Sequence, residues 1–206
     1  MQTRSGDTVK LKDLLEEAIS KATEDMASRS EAGLTEEQKY AARVVGIGAV
    51  KYADLSMNRE SNYRFSFKKM LALSGNTAPY MLYAFARIKG IKRKALLELG
   101  GESEKVVGSM SSKDIIIETK EEKALIKQLL RLEETLLDVE RDLYPNKLCE
   151  YLFELSQKFN QFYENCPVLK AETPELVKSR TALCSLTADA LQVSLGLLGI
   201  KTIDKL

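Results

Sequence analysis

Three segments in the second half of the chain repeat apolar residues at intervals of four and three. A helix turns about 100° per residue, so residues spaced in this way fall on one side of it. Each segment therefore predicts a helix with one apolar stripe, and the three stripes must bury against one another. The stripes are Leu125, Leu129, Leu132, Leu136, Val139 and Leu143; Leu148, Leu152, Leu155, Phe159 and Phe162; and Leu183, Leu186, Ala190, Val193 and Leu197.

The first half of the chain also has a helical pattern. Gly6-Asp7-Thr8 offers cap residues before an apolar stripe over residues 11–22. Residues 28–35 are typical of a loop, and Thr35 with Gln38 predicts a capping box that begins a second helix. Another helix is predicted from Thr77-Ala78-Pro79, because proline is tolerated in a first turn. The chain is therefore predicted to be an all-α helical bundle.

Three segments depart from this regular pattern. Residues 58–68 look irregular and polar, and the alternation of Tyr63, Phe65 and Phe67 favours a short extended piece. Residues 99–113 hold three glycines and four serines, which predicts an exposed loop. Gly199 is predicted to end the last helix.

The composition argues against several classes of function. Hydrophobic residues are 44% and charged residues 30% of the 206 residues, which is typical of a globular chain. No apolar run reaches the roughly 20 residues that span a bilayer, and the first residues show no signal-peptide pattern. The chain has no histidine, and its three cysteines form no CxxC pair, so neither a metal site nor a disulfide framework is expected. Reduced thiols in a reducing compartment are expected.

No set of catalytic residues is recognisable. The sequence lacks a Ser-His-Asp set, HExxH, a Walker A motif and a dinucleotide-binding fingerprint. Most acidic residues alternate with lysines at helical spacing, which is typical of a solvated helix face. The residues alone therefore favour a binding module over a catalyst.

Residues 75–94 carry the strongest binding signal. They include five basic residues and no acidic one, in a chain of net charge +1. Helical spacing puts Tyr80, Tyr83 and Arg87 on one face, whereas Met81, Leu82, Phe85 and Ile88 lie on another. Aromatic rings and guanidinium groups bind unpaired RNA bases, and Lys89, Lys92 and Lys94 would contact phosphates. The alternative is that the tyrosines are half-buried core residues with local partners for their hydroxyls.

The chain resembles arginyl-tRNA synthetases over essentially its whole length. The similarity lies in TRSGDTVKLKDLLEEA (3–18), VGIGAVKYADLSMNRESNYRFSFKKML (45–71), SGNTAPYMLYAFARI (74–88), LCEYLFELSQKFNQFYENCPVL (148–169) and LGIKTIDKL (198–206). DALQV at 189–193 is similar to the DALR element of the family's helical anticodon-binding domain. The resemblance implies a C-terminal piece of a class I aminoacyl-tRNA synthetase. Residues 1–30 would be a linker from the catalytic domain, and residues 31–206 the helical DALR-type domain.

The resemblance also implies roles for individual residues. Thr3, Arg4, Ser5 and Gly6 would be the remnant of a signature loop that lies near ATP in the full enzyme, although KMSKS-type lysines do not occur here. Leu206 would approach the anticodon loop, but relatives commonly end in Arg-Met and this chain ends in Lys-Leu. Pro167 stands where some relatives carry a large aromatic residue. The residues expected to bind tRNA are Tyr80, Tyr83, Arg87, Phe153, Tyr163 and Leu206, of which Phe153 and Tyr163 also fit the edge of a core stripe.

The function expected from this resemblance is binding of the anticodon loop of tRNA for arginine. The full enzyme, an arginine-tRNA ligase, would attach arginine to that tRNA with ATP and magnesium, whereas this piece alone would be inactive and hold no cofactor. The alternative is a helical protein-interaction module that does not read RNA. Neither DNA nor a membrane is an expected partner. The expected location is the cytoplasm, with an organelle as the alternative.

Overall fold

The computed structural model describes residues 10–30, 33–61, 66–98 and 115–206. These ranges contain helices and no strand, so the all-α prediction is confirmed. The predicted cap at Gly6-Asp7-Thr8, the predicted loop at 99–113, and Tyr63 and Phe65 lie outside the described residues. The helices in the described ranges are α1 (Leu11–Ala27), α2 (Glu36–Leu55), α3 (Phe67–Met70), α4 (Ala78–Glu98), α5 (Lys120–Leu130), α6 (Leu132–Asp142), α7 (Asn146–Asn165) and α8 (Pro174–Leu197).

Two predicted helix boundaries are set by local hydrogen bonds. The Gln38 N–H donates to Thr35 Oγ1 at 3.3 Å, and the Thr35 N–H donates to Gln38 Oε1 at 2.9 Å, which is the predicted capping box. At the other end of the chain, Gly199 has a φ of +68° that ends α8. The Ile200 N–H then donates to the Leu195 carbonyl at 2.9 Å. Both predictions are confirmed.

The beginning of α4 is held by a buried tyrosine of α2. The Tyr52 hydroxyl lies 2.6 Å from Asn76 Oδ1 and 2.7 Å from the Cys149 carbonyl oxygen of α7. Thr77 Oγ1, one residue further along, donates to the Ala72 carbonyl at 2.7 Å and accepts from the Tyr80 N–H at 3.4 Å. Since Thr77 satisfies the Tyr80 N–H in the first turn, α4 begins at Ala78, as predicted.

The core forms where α4 packs between α2, α7 and α8. Met81, Leu82, Phe85 and Ile88 of α4 are buried, as the spacing predicted. The predicted stripe of α7, from Leu148 to Phe162, is buried at every position. Burial of large apolar side chains on both helices fixes how each helix is rotated about its own axis, and this rotation decides which residues face outward.

The first predicted stripe is wrong as one continuous helix, because the structure breaks it into α5 and α6. At the junction the Arg131 N–H bonds to the Gln128 carbonyl, three residues back, which tightens the last turn of α5. α6 then ends at Leu143, whose φ of +56° is left-handed. Leu143 is therefore exposed and does not belong to the stripe.

The third predicted stripe is wrong at three positions. Leu186, Val193 and Leu197 are 50%, 53% and 61% exposed, although Leu183 and Ala190 of the same stripe are buried. α8 packs against α4, α5 and α7, so it is buried over a wide arc that includes small and hydroxyl-bearing residues. Thr187 fits there because its hydroxyl donates to the Leu183 carbonyl at 2.8 Å. An apolar pattern alone does not detect such positions.

The short extended piece predicted within residues 58–68 does not include Phe67. Phe67 begins the one-turn helix α3, and the Met70 N–H bonds to the Ser66 carbonyl at 3.0 Å. Phe67 packs against the smaller cluster of α1 and α2, and Lys21 lies 5.4 Å from the centroid of its ring. Among the described helices, none is long and apolar enough to cross a membrane.

Candidate nucleic-acid interface

Tyr80, Tyr83 and Arg87 lie on the outward side of α4, next to α7. Their position follows from the burial of Met81 and Phe85, which turn the opposite side of α4 into the core. Tyr83 is 41% exposed, and Tyr80 and Arg87 are half-buried. The three groups are therefore accessible to a ligand rather than sealed in the core.

Asn160 of α7 ties two of these residues together. Its side-chain Nδ2 donates to the Tyr80 hydroxyl oxygen at 2.8 Å, and its Oδ1 accepts from Arg87 Nη1 at 3.0 Å. An amide can do both because it carries a donor and an acceptor. Sequence reasoning missed Asn160, although it lies seven residues after Phe153 and three before Tyr163, on the same side of the predicted helix.

The Arg87 guanidinium also joins the exposed rings of the two helices. Its carbon lies 4.7 Å from the centroid of the Tyr83 ring and 5.4 Å from that of Tyr163. Both distances are within cation–π range, where each contact is worth about 0.5–2 kcal/mol. Tyr163 is 40% exposed and stacks on buried Phe159, with the ring centroids 6.1 Å apart and the planes inclined by 22°. The guanidinium is thus oriented from two sides.

Phe153 completes this surface from α7. Its ring lies 5.9 Å from the Tyr80 ring, at an interplanar angle of 59°. Phe153 is half-buried and packs on the main core, so packing accounts for part of its surface, as the sequence alternative stated. The structure therefore brings five of the six predicted binding residues together, and these five with Asn160 are called the aromatic face: Tyr80, Tyr83, Arg87, Phe153, Asn160 and Tyr163.

A groove opens on the α1–α2 side of the aromatic face, and it is called the tail groove. It has a volume of about 560 Å³ and lies between the end of α1, the start of α2 and the start of α4. Leu206, the sixth predicted residue, is 45% exposed and lines this groove together with Tyr83. The other apolar side chains lining it are Ala22, Met26, Ala41, Val45, Leu71, Leu73 and Pro79.

A second groove, called the basic groove, opens beside the aromatic face between α4 and the end of α7 with the segment that follows it. It has a volume of about 430 Å³ and includes Arg87 and Tyr163 in its wall. The other charged residues in the wall are Lys94 and Lys170, so all three charged side chains there are basic. Pro167, where some relatives are expected to carry an aromatic ring, also lines it. This wall is suited to a phosphate or another anion.

The three lysines predicted to contact phosphates have different surroundings. Lys94 lies in the basic groove. Lys89 Nζ lies 3.7 Å from Asp204 Oδ1 and is largely covered. Lys92 lies near Cys184 of α8, where burial raises the pKa of the thiol to about 12 and Lys92 opposes that increase. Lys94 is thus the one of the three that shares a groove with Arg87.

The cysteines and the predicted loop remnant lie apart from this interface. Cys149, Cys166 and Cys184 are free thiols, and burial raises the pKa of each, so all three stay protonated at neutral pH. Within the described residues, no cluster of three His, Cys, Asp or Glu could hold a metal ion. Thr3, Arg4, Ser5 and Gly6 lie outside the described residues, so their placement near ATP stays a prediction.

These features define an all-helical domain that presents aromatic and cationic groups on a rigid core. The sequence matches the model of the DALR anticodon binding domain over residues 81–206, more than half of the chain. The chain therefore belongs to the DALR anticodon binding domain family. Residues 1–67 match the model of the class I tRNA synthetase catalytic domain for arginine. The resemblance predicted from the sequence is confirmed.

Curated relatives and solved structures agree with this assignment. Over the whole chain, the sequence is 52% identical to the arginine–tRNA ligase of Cyanothece sp. and 53% identical to that of Nostoc punctiforme. The chain spans about a third of these relatives, 34% of each. The arginyl-tRNA synthetase of Plasmodium falciparum matches 96% of the chain at 33% identity and a TM-score of 0.83, with 34% of that structure covered. The Thermus thermophilus arginyl-tRNA synthetase matches 98% at 28% identity and the same TM-score of 0.83, with 33% covered.

Proposed function

We propose that this chain binds the anticodon loop of tRNA for arginine, as part of an arginine–tRNA ligase. One observation carries the proposal. In a chain of the DALR anticodon binding domain family, Asn160 holds Arg87 beside Tyr83 and Tyr163, whose rings remain about 40% exposed. Such a surface binds unpaired bases, because rings stack on bases and a guanidinium bonds to their edges.

Each part of the interface has a chemical role in this proposal. Tyr83 and Tyr163 stack on unpaired bases, at roughly 1–3 kcal/mol for each base. Arg87 and the Tyr80 hydroxyl bond to base edges, while Lys94 and Lys170 in the basic groove hold phosphates. The tail groove receives a base turned away from the loop, with Tyr83 and Leu206 in its wall. Single-stranded loops suit this reading, because side chains do not reach the base edges in the deep groove of an A-form helix.

The longer protein is proposed to attach arginine to this tRNA with ATP and magnesium. Those steps would use residues outside this chain, with Thr3, Arg4, Ser5 and Gly6 close to the ATP. Residues 1–30 would link the catalytic part to the helical domain at 31–206. The chain alone is expected to show no aminoacylation. Cytoplasm is the proposed location, with an organelle as the alternative.

A tRNA titration tests the proposal. The purified chain is titrated with tRNA for arginine and with the same tRNA carrying an altered anticodon, at two salt concentrations. We expect tighter binding of the unaltered tRNA and weaker binding of both at high salt, because phosphate contacts release counterions. Equal affinity for the two tRNAs would contradict base reading. Absence of binding would contradict the proposal and favour a protein partner for the aromatic face.

Substitution of Tyr83 sharpens this test. Tyr83→Ala removes a stacking ring and is expected to weaken tRNA binding roughly 5- to 150-fold, with little loss of stability. Tyr40→Ala is the matched control, because Tyr40 is 51% exposed on α2 and lines neither the tail groove nor the basic groove. A Tyr83 variant that unfolds, or one that binds as tightly as the control, would contradict the role of this ring.

A further inference from the structure

Two basic residues of α4 contact the end of the chain instead of the aromatic face. Lys89 and Arg93 lie four residues apart, so they share one side of the helix. Arg93 Nη1 donates to the backbone carbonyl of Asp204 at 3.0 Å. Lys89 Nζ lies 3.7 Å from the Asp204 carboxylate. Both side chains therefore converge on one residue, two positions before Leu206.

The segment from Gly199 to Leu206, called the tail, is fixed in two different ways. Its first part is anchored by burial, because Ile200 and Ile203 insert into the core, and Lys51 Nζ donates to the Gly199 carbonyl at 2.6 Å. Beyond Ile203 the residues are exposed. Three polar contacts hold this part: Arg93 and Lys89 contact Asp204, and Lys205 Nζ lies 3.5 Å from Glu37 Oε1. Leu206 follows them and lines the tail groove.

We propose that Arg93, assisted by Lys89, is a positioning residue that clamps Asp204 and thereby places Leu206 in the wall of the tail groove beside Tyr83. This inference rests on the proposed function, since the groove would receive an RNA base. Without the Arg93 clamp, residues 204–206 would have to become ordered when RNA binds, and the entropy cost of that ordering weakens the affinity for RNA. Two of the five basic residues in the 75–94 segment thus act through the tail and do not contact phosphate.

The competing role for Arg93 is a direct phosphate contact, and the two roles predict different behaviour. A phosphate contact adds about one to the slope of log affinity against log salt, and its loss lowers that slope. A clamp leaves the slope unchanged. A clamp also needs the tail, so removal of the Arg93 side chain has no effect on affinity in a chain that lacks residues 204–206.

The experiment compares four proteins: the full chain, Arg93→Ala, a chain that ends at Ile203, and the combination. Affinity for tRNA for arginine is measured over a series of salt concentrations. We expect Arg93→Ala to bind roughly 3- to 10-fold more weakly at an unchanged salt slope. The combined variant should bind no more weakly than the truncated chain, and Arg93→Lys should recover part of the loss. Lys12→Ala is the control, since Lys12 is exposed on α1.

Three binding results would overturn the inference. These are unchanged affinity of Arg93→Ala, an equal loss from Arg93→Ala in the full and the truncated chain, and a salt slope lower by about one. A thermal melt of each variant shows whether the fold is intact. Arg93→Lys keeps a positive charge at this position, so it supplies the comparison if Arg93→Ala melts early.

A measurement without RNA separates failure of the clamp from failure of the proposed function. Hydrogen exchange over residues 200–206 should be faster in Arg93→Ala than in the full chain, while exchange over α7 stays the same. Equal exchange of the tail in both proteins would overturn the clamp. If the full chain binds no tRNA, the proposed function fails, and the hydrogen-exchange result alone decides whether Arg93 holds the tail.

Discussion

Replacement of Asn160 by alanine tests how the aromatic face is organised. The substitution removes the amide that joins the Tyr80 hydroxyl to the Arg87 guanidinium. It leaves every stacking ring in place, and it leaves the charge of Arg87 in place. Since the proposed RNA contacts are made by the rings, by Arg87 and by the Tyr80 hydroxyl, a loss of RNA binding would come from the changed position of Arg87 and Tyr80.

The size of the effect follows from the two hydrogen bonds. The neutral bond to Tyr80 is worth about 1 kcal/mol, and the bond to charged Arg87 about 1.5–3 kcal/mol when fully buried. Asn160, Tyr80 and Arg87 are each half-buried, so water replaces part of both bonds. We therefore expect a stability loss of about 1–2 kcal/mol, which lowers the Tm by roughly 2–8 °C in a domain of this size. Freeing Arg87 adds about 0.5–1.5 kcal/mol to the cost of ordering it on RNA, or roughly 2- to 12-fold in affinity.

The assay is a thermal melt and a tRNA titration of Asn160→Ala beside Gln161→Ala. Gln161 is the control because it is exposed and lies one position further along α7. The control should match the unsubstituted chain in both measurements. If Asn160→Ala lowers the Tm as expected but leaves tRNA affinity and anticodon discrimination unchanged, Arg87 needs no alignment by Asn160, and the reasoning is refuted.

Three further predictions concern the scaffold. Glu122→Gln should destabilise the chain by about 3–5 kcal/mol at neutral pH, because it leaves buried Arg180 without the carboxylate that accepts from its Nε at 2.7 Å. Burial alone would raise the pKa of Glu122, but hydrogen bonds from Arg180 and from the backbone of Thr119 and Glu118 lower it overall. The stability that the Glu122 carboxylate contributes is therefore present above pH 4.5 and is lost as the pH falls below it. Chemical denaturation of both proteins at neutral and acidic pH measures the difference in their free energies of unfolding, and a difference that does not become smaller in acid would contradict this role of Glu122. Gly46→Ala should destabilise the fold by about 1–3 kcal/mol or more, since the added Cβ would meet the α1 backbone at 2.8 Å. Gly196→Ala should stabilise the fold slightly, because the added Cβ meets nothing within 4 Å. Equal denaturation midpoints of the two variants would contradict the close approach of α1 and α2. Leu191→Ala should cost about 2–5 kcal/mol and Leu186→Ala less than about 1 kcal/mol, because Leu191 is buried and Leu186 is half-exposed; denaturant unfolding that ranks them in the opposite order would restore the stripe predicted from the sequence.

The sequence predicted the helices whose buried side is made of large apolar residues. In α7 the stripe from Leu148 to Phe162 is buried at every position, and in α4 the apolar and aromatic sides separate as the spacing indicated. It failed for α8, where Thr187 and other hydroxyl-bearing residues are buried and Leu186 is half-exposed. A helix that is buried on several sides does not show one apolar stripe, because its buried surface also includes hydroxyl groups such as that of Thr187, which bonds to its own helix.

The residues proposed to bind RNA were singled out by helical spacing and by family resemblance, but the contacts that hold them were not. Asn160 is 73 residues from Arg87 in the sequence, and Arg93 is 111 residues from Asp204. Periodicity describes neighbours along one helix and carries no information about which polar groups on different helices meet. Both contacts became visible only when the packing of α4, α7 and the tail was known.

Photo-crosslinking tests most directly whether the aromatic face binds unpaired bases. A stem-loop RNA with the anticodon arm of tRNA for arginine carries one photo-reactive uridine at a time, either in the loop or in the stem, and the crosslinked peptides are mapped by mass spectrometry. Loop positions should crosslink to the α4 and α7 peptides that contain Tyr83 and Tyr163, and the Tyr83→Ala chain should lose the α4 product. Loop crosslinks that map to the exposed side of α8, at Leu186, Val193 and Leu197, would contradict the account.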